Sequence, residues 1–234
     1  VGSKVVGQLQ DNPGHRAGAE GYQGRVVENT IEALERFRER RQVWDAPCYV
    51  EVDVQETKDG ALVLYHDVGG GLKRGFPPRE ANQDVIRAVE GRGIPWSRAR
   101  IRDLTLEEVQ SMKLGEQSMA MVPTLDAFLS RCLQLAHTLT VAVEVKDLHS
   151  DKGRDAMVQS LATYKKARLD RHSQDKPSYE QFGWVCLLAF PSTFANCFGE
   201  FGSSEWQRWC RAFNEADVPV RSCVFHALDL TLFS

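Results

Sequence analysis

The sequence predicts an α/β fold, either a parallel sheet or a barrel, built as one domain. Three observations predict it. Short β-type runs alternate with helix-periodic segments along most of the chain, the pattern of strands joined by helical crossovers. The 234 residues exceed the usual size of one domain yet fall well inside the range of a single α/β barrel. The longest apolar runs, Trp184 to Phe190 and Thr138 to Val145, are strand-sized and read as buried strands.

Composition narrows the function classes. Hydrophobic residues make up 42% and charged residues 26%, ordinary values for a soluble globular protein. No apolar run approaches the roughly 20 residues that span a bilayer, so no integral membrane segment is expected. A formal net charge of −3 gives no general attraction for nucleic acid or anionic lipid, and any anionic small-molecule partner must be held locally. The six cysteines (Cys48, Cys132, Cys186, Cys197, Cys210, Cys223) form no CxxC pair and no Cys/His cluster at zinc spacing. They read as reduced core thiols, and with no signal-type segment at Val1 the expected location is cytoplasmic.

Along the chain, a short apolar stretch ends in the turn Asn12-Pro13-Gly14, and His15 follows at once. Ile31, Leu34 and Phe37 share one helical face, with Asn29 or Thr30 as N-cap. Tyr49 to Val54 alternates strictly, sending Val50, Val52 and Val54 to one face and Glu51 and Asp53 to the other. Lys58-Asp59-Gly60 is a turn, and Ala61 to Tyr65 is a second strand ending in His66-Asp67. So short a connection excludes a parallel crossover, so the two runs form an antiparallel hairpin that sets His66 roughly opposite Val52 or Asp53.

Residues 68–122, rich in Gly, Pro and Arg, read as an insertion with a helical piece from Thr105 to Leu114. A helix follows through Leu125, Phe128, Leu129, Cys132 and Leu133. Val141 to Lys146 is a strand whose alternation puts Glu144 and Lys146 on one face. Residues 150–180 read as surface helix and loop, Trp184 to Phe190 as a strand, Glu205 to Ala216 as an amphipathic helix, and Val218 to Phe225 as a last strand.

A buried strand should not carry two carboxylates on one face without a reason. Each alone also fits a solvated strand end or a salt bridge. Together, Glu51, Asp53 and Glu144 offer three hard oxygen ligands at strand ends, a set suited to Mg²⁺ or Ca²⁺. His15 and His66 lie on separate segments beside charged neighbours, and such a pair can serve as acid and base in a displacement at phosphorus. Arg16 and Lys146 can hold phosphate oxygens. His137, His149, His172 and His226 lack such surroundings and read as structural.

GHRAG (14–18), ENTIEAL (28–34), YVEVDVQETKDGALVLYHD (49–67), LTLEEVQSMKLG (104–115), PTLDAFL (123–129) and VAVEVKD (141–147) resemble, in order and spacing, the glycerophosphodiester phosphodiesterases. The wording is nearest to the eukaryotic-type cytosolic branch that hydrolyses glycerophosphocholine. The resemblance implies a (β/α)₈ TIM barrel with a small insertion after the hairpin. It further implies hydrolysis of glycerophosphodiesters to sn-glycerol 3-phosphate and an alcohol with a divalent metal, Mg²⁺ or Ca²⁺. By the same resemblance His15 and His66 are the acid/base pair, Glu51, Asp53 and Glu144 the metal ligands, and Arg16 and Lys146 the phosphate clamps.

Two departures from that pattern stand out. The polar Gln8 to Asn12 and Pro13 replace an apolar strand leading into His-Arg. After Phe190 only one helix and one strand are legible where three β/α units are expected, so the barrel is expected to be incomplete or irregular at its C-terminal end. Two other functions fit part of the pattern: a phospholipase D-type lyase forming a cyclic phosphate, and an inactive barrel kept as a binding module. The complete TKDG to YHD hairpin favours the hydrolase, with choline, ethanolamine, inositol and glycerol all open as the alcohol.

Overall fold

Cys48–Glu56 (β1) alternates as its sequence requires, but it is buried on both faces. In the computed structural model, which describes residues 14–22, 26–40, 48–67, 79–80, 83–114, 121–135, 139–171 and 185–222, Val50, Val52 and Val54 lie on the side covered by helices. Glu51, Asp53 and Gln55 alternate with them and are only 3%, 0% and 0% exposed. The two carboxylates therefore sit in mid-strand, not at the strand end the sequence suggests. The reason is that β1 runs on through Gln55 and Glu56 into the hairpin.

Leu62–Leu64 (β2) pairs antiparallel with β1, Val54 against Leu64 and Glu56 against Leu62. Gly60, at φ +84°, closes the turn, and the Thr57 hydroxyl donates to Asp59 at 2.6 Å. The Tyr65 amide donates to the Asp53 carbonyl at 2.9 Å, continuing the register and putting His66 across from Val52, as the sequence predicts.

Leu139–Asp147 (β5) runs parallel to β1, with Asp53 against Glu144 and Val54 against Val145; Gln55 then stands against Asp147, so Lys146 is the extra residue of a bulge. Val185–Ala189 (β6) and Val220–Ser222 (β7) follow in parallel, giving the sheet order β2-β1-β5-β6-β7. The fold is α/β with a mixed five-stranded sheet, and among the described residues the sheet keeps two edges, β2 and β7.

The helices cover the valine face. Ile31–Arg40 (α1) is capped by Thr30, whose hydroxyl accepts from the Ala33 amide at 3.1 Å. Asn29, the other candidate cap, is thereby released for another role. Between β2 and the next long strand, Gln83–Gly91 (α2) and Leu106–Gln110 (α3) accompany the short antiparallel strands Arg79–Glu80 (β3) and Lys113–Leu114 (β4). The helix expected from Thr105 to Leu114 thus stops early, and its last residues pair as a strand. Ile101, Leu104, Val109 and Met112 pack a separate apolar cluster against Val63 and Tyr65 of the hairpin.

Leu125–Leu135 (α4) buries Leu125, Phe128, Leu129 and Cys132, as its periodicity predicts. Asp151–Arg171 (α5) is not a surface helix throughout, because Met157, Leu161, Tyr164 and Arg168 are buried. Arg168 is tolerated there because its guanidinium donates to the Tyr164 hydroxyl at 2.9 Å and to the Cys132 and Leu139 carbonyls.

Pro191–Phe198 (α6) is a helix that sequence periodicity does not reveal; Ser, Thr and Asn lower its propensity, while Pro191 serves as a first-turn starter. Among the described residues two helices therefore follow Phe190, Ser204–Glu215 (α7) being the second. Phe198 meets Phe213 and Trp209 edge-on at 5.6 and 6.3 Å. The first apolar stretch, His137, His172, His226 and the end of the predicted last strand lie outside the described residues. No helix among the described residues is long and apolar enough to cross a membrane.

At the start of α5, the fully buried Glu56 carboxylate accepts from the His149 and Ser150 amides at 2.7 and 3.0 Å and from the Ser150 hydroxyl. A Cβ on Gly153 would overlap that carboxylate. Alanine for glycine inside a helix ordinarily stabilises by up to about 1 kcal/mol. At Gly153 the sign should reverse, with Gly153→Ala losing about 1–3 kcal/mol in urea unfolding through overpacking. A variant at least as stable as the parent would show that Glu56 does not occupy this position.

Candidate active site

The site begins in a strained turn. Arg16, Ala17 and Gly18 all adopt left-handed backbone angles, φ 50°, 62° and 87°, although two of them carry a Cβ. Gly18 is required twice over, because a Cβ there would also lie 2.5 Å from that of Phe37. The turn delivers the Arg16 amide to Glu51 Oε2 at 2.9 Å, while the Gly14 carbonyl accepts from the Glu51 amide at 2.9 Å. Asn29, at φ 57°, faces the turn and donates its amide to the Arg16 carbonyl at 3.0 Å. Its side chain bridges Asp53, donating to the carboxylate at 2.8 Å and accepting from the Asp53 amide at 3.0 Å.

Three carboxylates converge on the buried face of the sheet. Glu51, Asp53 and Glu144 each offer an oxygen within 4.8 Å of the others. The Lys146 ammonium lies 3.0 Å from Asp53 Oδ1 and also bonds Glu144. Burial pulls the Lys146 ammonium down, but Asp53 and Glu144 outweigh it and hold its pKa above the ordinary value. The Arg16 guanidinium reaches Glu28 at 2.7 Å, and its Nε lies 4.0 Å from Asp53.

Glu51 is left with the poorest compensation. Burial, reinforced by the charge of Asp53, pushes its carboxyl well above the usual range despite the Arg16 amide. Among the described residues its buried Oε1 has no hydrogen-bond partner. An all-oxygen donor set with an unsatisfied buried carboxylate oxygen fits a hard divalent cation, which would supply the missing counter-charge.

The histidines flank this cluster. His15 Nε2 is 3.8 Å from Glu51 Oε2. His66 Nε2 lies 2.8 Å from Arg16 Nη2 and its Nδ1 lies 3.0 Å from Asp67 Oδ1. A guanidinium can only donate, so Nε2 accepts and the ring carries its proton on Nδ1, facing Asp67. Gln55, fully buried, fixes the chain on either side of this ring by donating to the Tyr65 and Asp67 carbonyls at 2.9 and 3.0 Å. His149 stays outside the cluster, 3.4 Å from Glu56.

All seven residues singled out in the sequence are therefore joined in one contact network. Sequence reasoning missed Glu28 and Asn29 as members and gave Gln55 and Asp67 no role. A signal existed for Asn29, since Asn29-Thr30 offered two caps to a helix that needs one. Phe190, 46% exposed, follows β6 directly and has its ring centroid 5.9 Å from the Lys146 ammonium.

A search among curated proteins finds no match. Solved structures that match include a Silicibacter pomeroyi protein provisionally named glycerophosphoryl diester phosphodiesterase, at 16% identity over 88% of this chain and 62% of that chain, TM-score 0.48. The present chain thus spans less than two thirds of that protein. Another, from Galdieria sulphuraria and provisionally named glycerophosphodiester phosphodiesterase, is 18% identical over 90% of this chain and 91% of that chain, TM-score 0.47. A phosphodiesterase from Oleispira antarctica, solved in complex with the product sn-glycerol-3-phosphate, is 18% identical over 89% of this chain and 72% of that chain, TM-score 0.43. With its residues 15–184 matching the family model, this chain belongs to the glycerophosphoryl diester phosphodiesterase family.

Proposed function

We propose that the chain is a metal-dependent hydrolase of glycerophosphodiesters, yielding sn-glycerol 3-phosphate and an alcohol, and that its sheet is part of a (β/α)₈ barrel. One observation carries the reading: Glu51, Asp53 and Glu144 form a buried oxygen cluster with Lys146 against it, His15 3.8 Å from Glu51, and His66 joined to it through Arg16. Family membership supports the substrate class. The wording of the motifs makes glycerophosphocholine the first substrate to assay. Free thiols at Cys132, Cys186, Cys197 and Cys210 favour a reducing compartment such as the cytoplasm.

Glu51, Asp53 and Glu144 would hold Mg²⁺ or Ca²⁺, a cation that supplies charge neutralisation on the phosphoryl oxygens. Arg16 and Lys146 bind the remaining phosphate oxygens. With Arg16 turned to the phosphate, His66 Nε2 is released as an acceptor and, with Nδ1–H held by Asp67, takes a proton from water as it attacks phosphorus. His15 gives a proton to the departing alkoxide. One P–O bond forms and one breaks, and the second imidazole replaces the proton that the first removes.

Three outcomes are expected. EDTA should abolish turnover of glycerophosphocholine, and added Mg²⁺ or Ca²⁺ should restore it; full activity after exhaustive chelation would refute metal dependence. Glu51→Gln keeps the side-chain shape but not its charge, and should retain the fold while losing metal affinity in calorimetry. Undiminished binding would remove Glu51 from the ligand set. Finally, kcat/KM should be bell-shaped in pH, with His15→Ala and His66→Ala each costing about 10²–10⁴-fold. A nitrophenolate leaving group needs little protonation, so an activated substrate should rescue His15→Ala alone. Rescue of His66→Ala instead would reverse the assignment, and a cyclic phosphate in the phosphorus NMR spectrum would establish the lyase reaction in place of hydrolysis.

A further inference from the structure

We infer that Arg102, carried by the inserted region, is a positioning residue for this site that holds the β5 bulge through which Lys146 is aimed. The inference rests on the reading of Lys146 as a phosphate-binding group. Pairing between β1 and β5 advances in step from Cys48/Leu139 to Val54/Val145, then skips Lys146 so that Gln55 stands against Asp147. A bulged residue is left out of the strand ladder, and bulges bend the strand and re-aim a side chain. The direction of Lys146 therefore depends on what fixes its two neighbours.

Val145, before it, is fully buried in the main core. Asp147, after it, is 7% exposed and takes both its oxygens to one guanidinium: Arg102 Nε donates to Oδ2 at 2.6 Å and Nη2 donates to Oδ1. Such a planar fork constrains direction as well as distance, which a lysine cannot reproduce. Arg102 is itself held. Ile101 and Leu104 around it are fully buried, the Arg100 amide donates to Asp103 Oδ2 at 2.9 Å, and the Asp103 amide returns to the Arg100 carbonyl at 3.0 Å.

The same segment is tied to the hairpin turn. The Lys58 amide donates to the Leu104 carbonyl at 2.7 Å, and the Leu106 amide donates to Asp59 Oδ1 at 3.0 Å. The insertion thus grips both strands that carry the cluster, β1 at its hairpin and β5 at its bulge. A stapling role alone would affect stability only. A positioning role must act through Lys146, and that difference is measurable.

The test is a double-mutant cycle on the full chain, read by calorimetric binding of sn-glycerol 3-phosphate at saturating Mg²⁺. Arg102→Ala should weaken binding about 10-fold, the usual scale for losing a group that orients a site residue. Affinity for Mg²⁺ alone should stay unchanged. Lys146→Met should weaken binding as well, and adding Arg102→Ala to it should cause no further loss. Arg102→Lys keeps the charge without the fork, should behave like Arg102→Ala, and carries the test if the alanine variant does not fold. Equal fractional losses from Arg102→Ala in both Lys146 backgrounds, or unchanged binding with only a lower Tm, would overturn the proposal and leave Lys146 in its role. Unchanged binding in Lys146→Met would instead overturn the phosphate-binding reading itself, and the positioning role with it.

Discussion

Burying both faces of β1 is the constraint on which the rest of the structure depends. One face of valines is ordinary core, and its transfer from water supplies on the order of 1.5–3 kcal/mol per fully buried side chain. The other face carries Glu51 and Asp53, and a buried carboxylate without partners is far more costly than any single valine can offset. The neighbouring segments answer that demand. Asn29 satisfies Asp53 at two points, Lys146 reaches it from β5, and the Arg16 amide turns inward to Glu51.

Compensation is uneven, and the unevenness is chemically informative. Asp53 receives an amide, an ammonium and a nearby guanidinium, whereas Glu51 receives one backbone amide and keeps an oxygen without a partner. A cluster meant only for stability would be expected to close its own charges, since a half-satisfied buried network is worse than an apolar core. Here the protein's own cations are placed at Asp53 and Glu144.

What the sequence disclosed follows the same physics. Period-two alternation in Tyr49 to Val54 and Val141 to Lys146 exposed the carboxylates, and the short Lys58-Asp59-Gly60 turn fixed the register that places His66. Both signals are local, so both were legible. Asn29 was hidden because a cap signal accounted for it, and only the left-handed backbone at 16–18 gives its amide a partner across the site. Helix α6 was hidden because Ser, Thr and Asn weaken its helical signal, while Phe198 is buried against Trp209 and Phe213 of the next helix. The depth of β1 was hidden too, because burial of Glu51 depends on β5 lying beside it, nearly ninety residues later.

Of the four non-glycine residues at positive φ among the described residues, three, Arg16, Ala17 and Asn29, lie at the cluster, as does the β5 bulge, and there a side chain or amide leaves the direction its element would give it. The left-handed run at Arg16 to Gly18 turns an amide toward Glu51 that an extended chain would send elsewhere. Asn29, two residues before its helix, adopts a left-handed conformation and bridges Asp53. Lys146 stands outside the ladder of β5 and meets both carboxylates. Each departure costs on the order of 1–3 kcal/mol or disrupts pairing, and persists only when its surroundings over-determine it. Those surroundings are buried: Ala17 and Phe37 behind the turn, Thr30 capping α1 behind Asn29, and Val145 with the Arg102-bound Asp147 around the bulge. The rigid core thus extends to the irregular residues themselves, and it holds the clustered side chains in place by fixing the strained backbone that carries them.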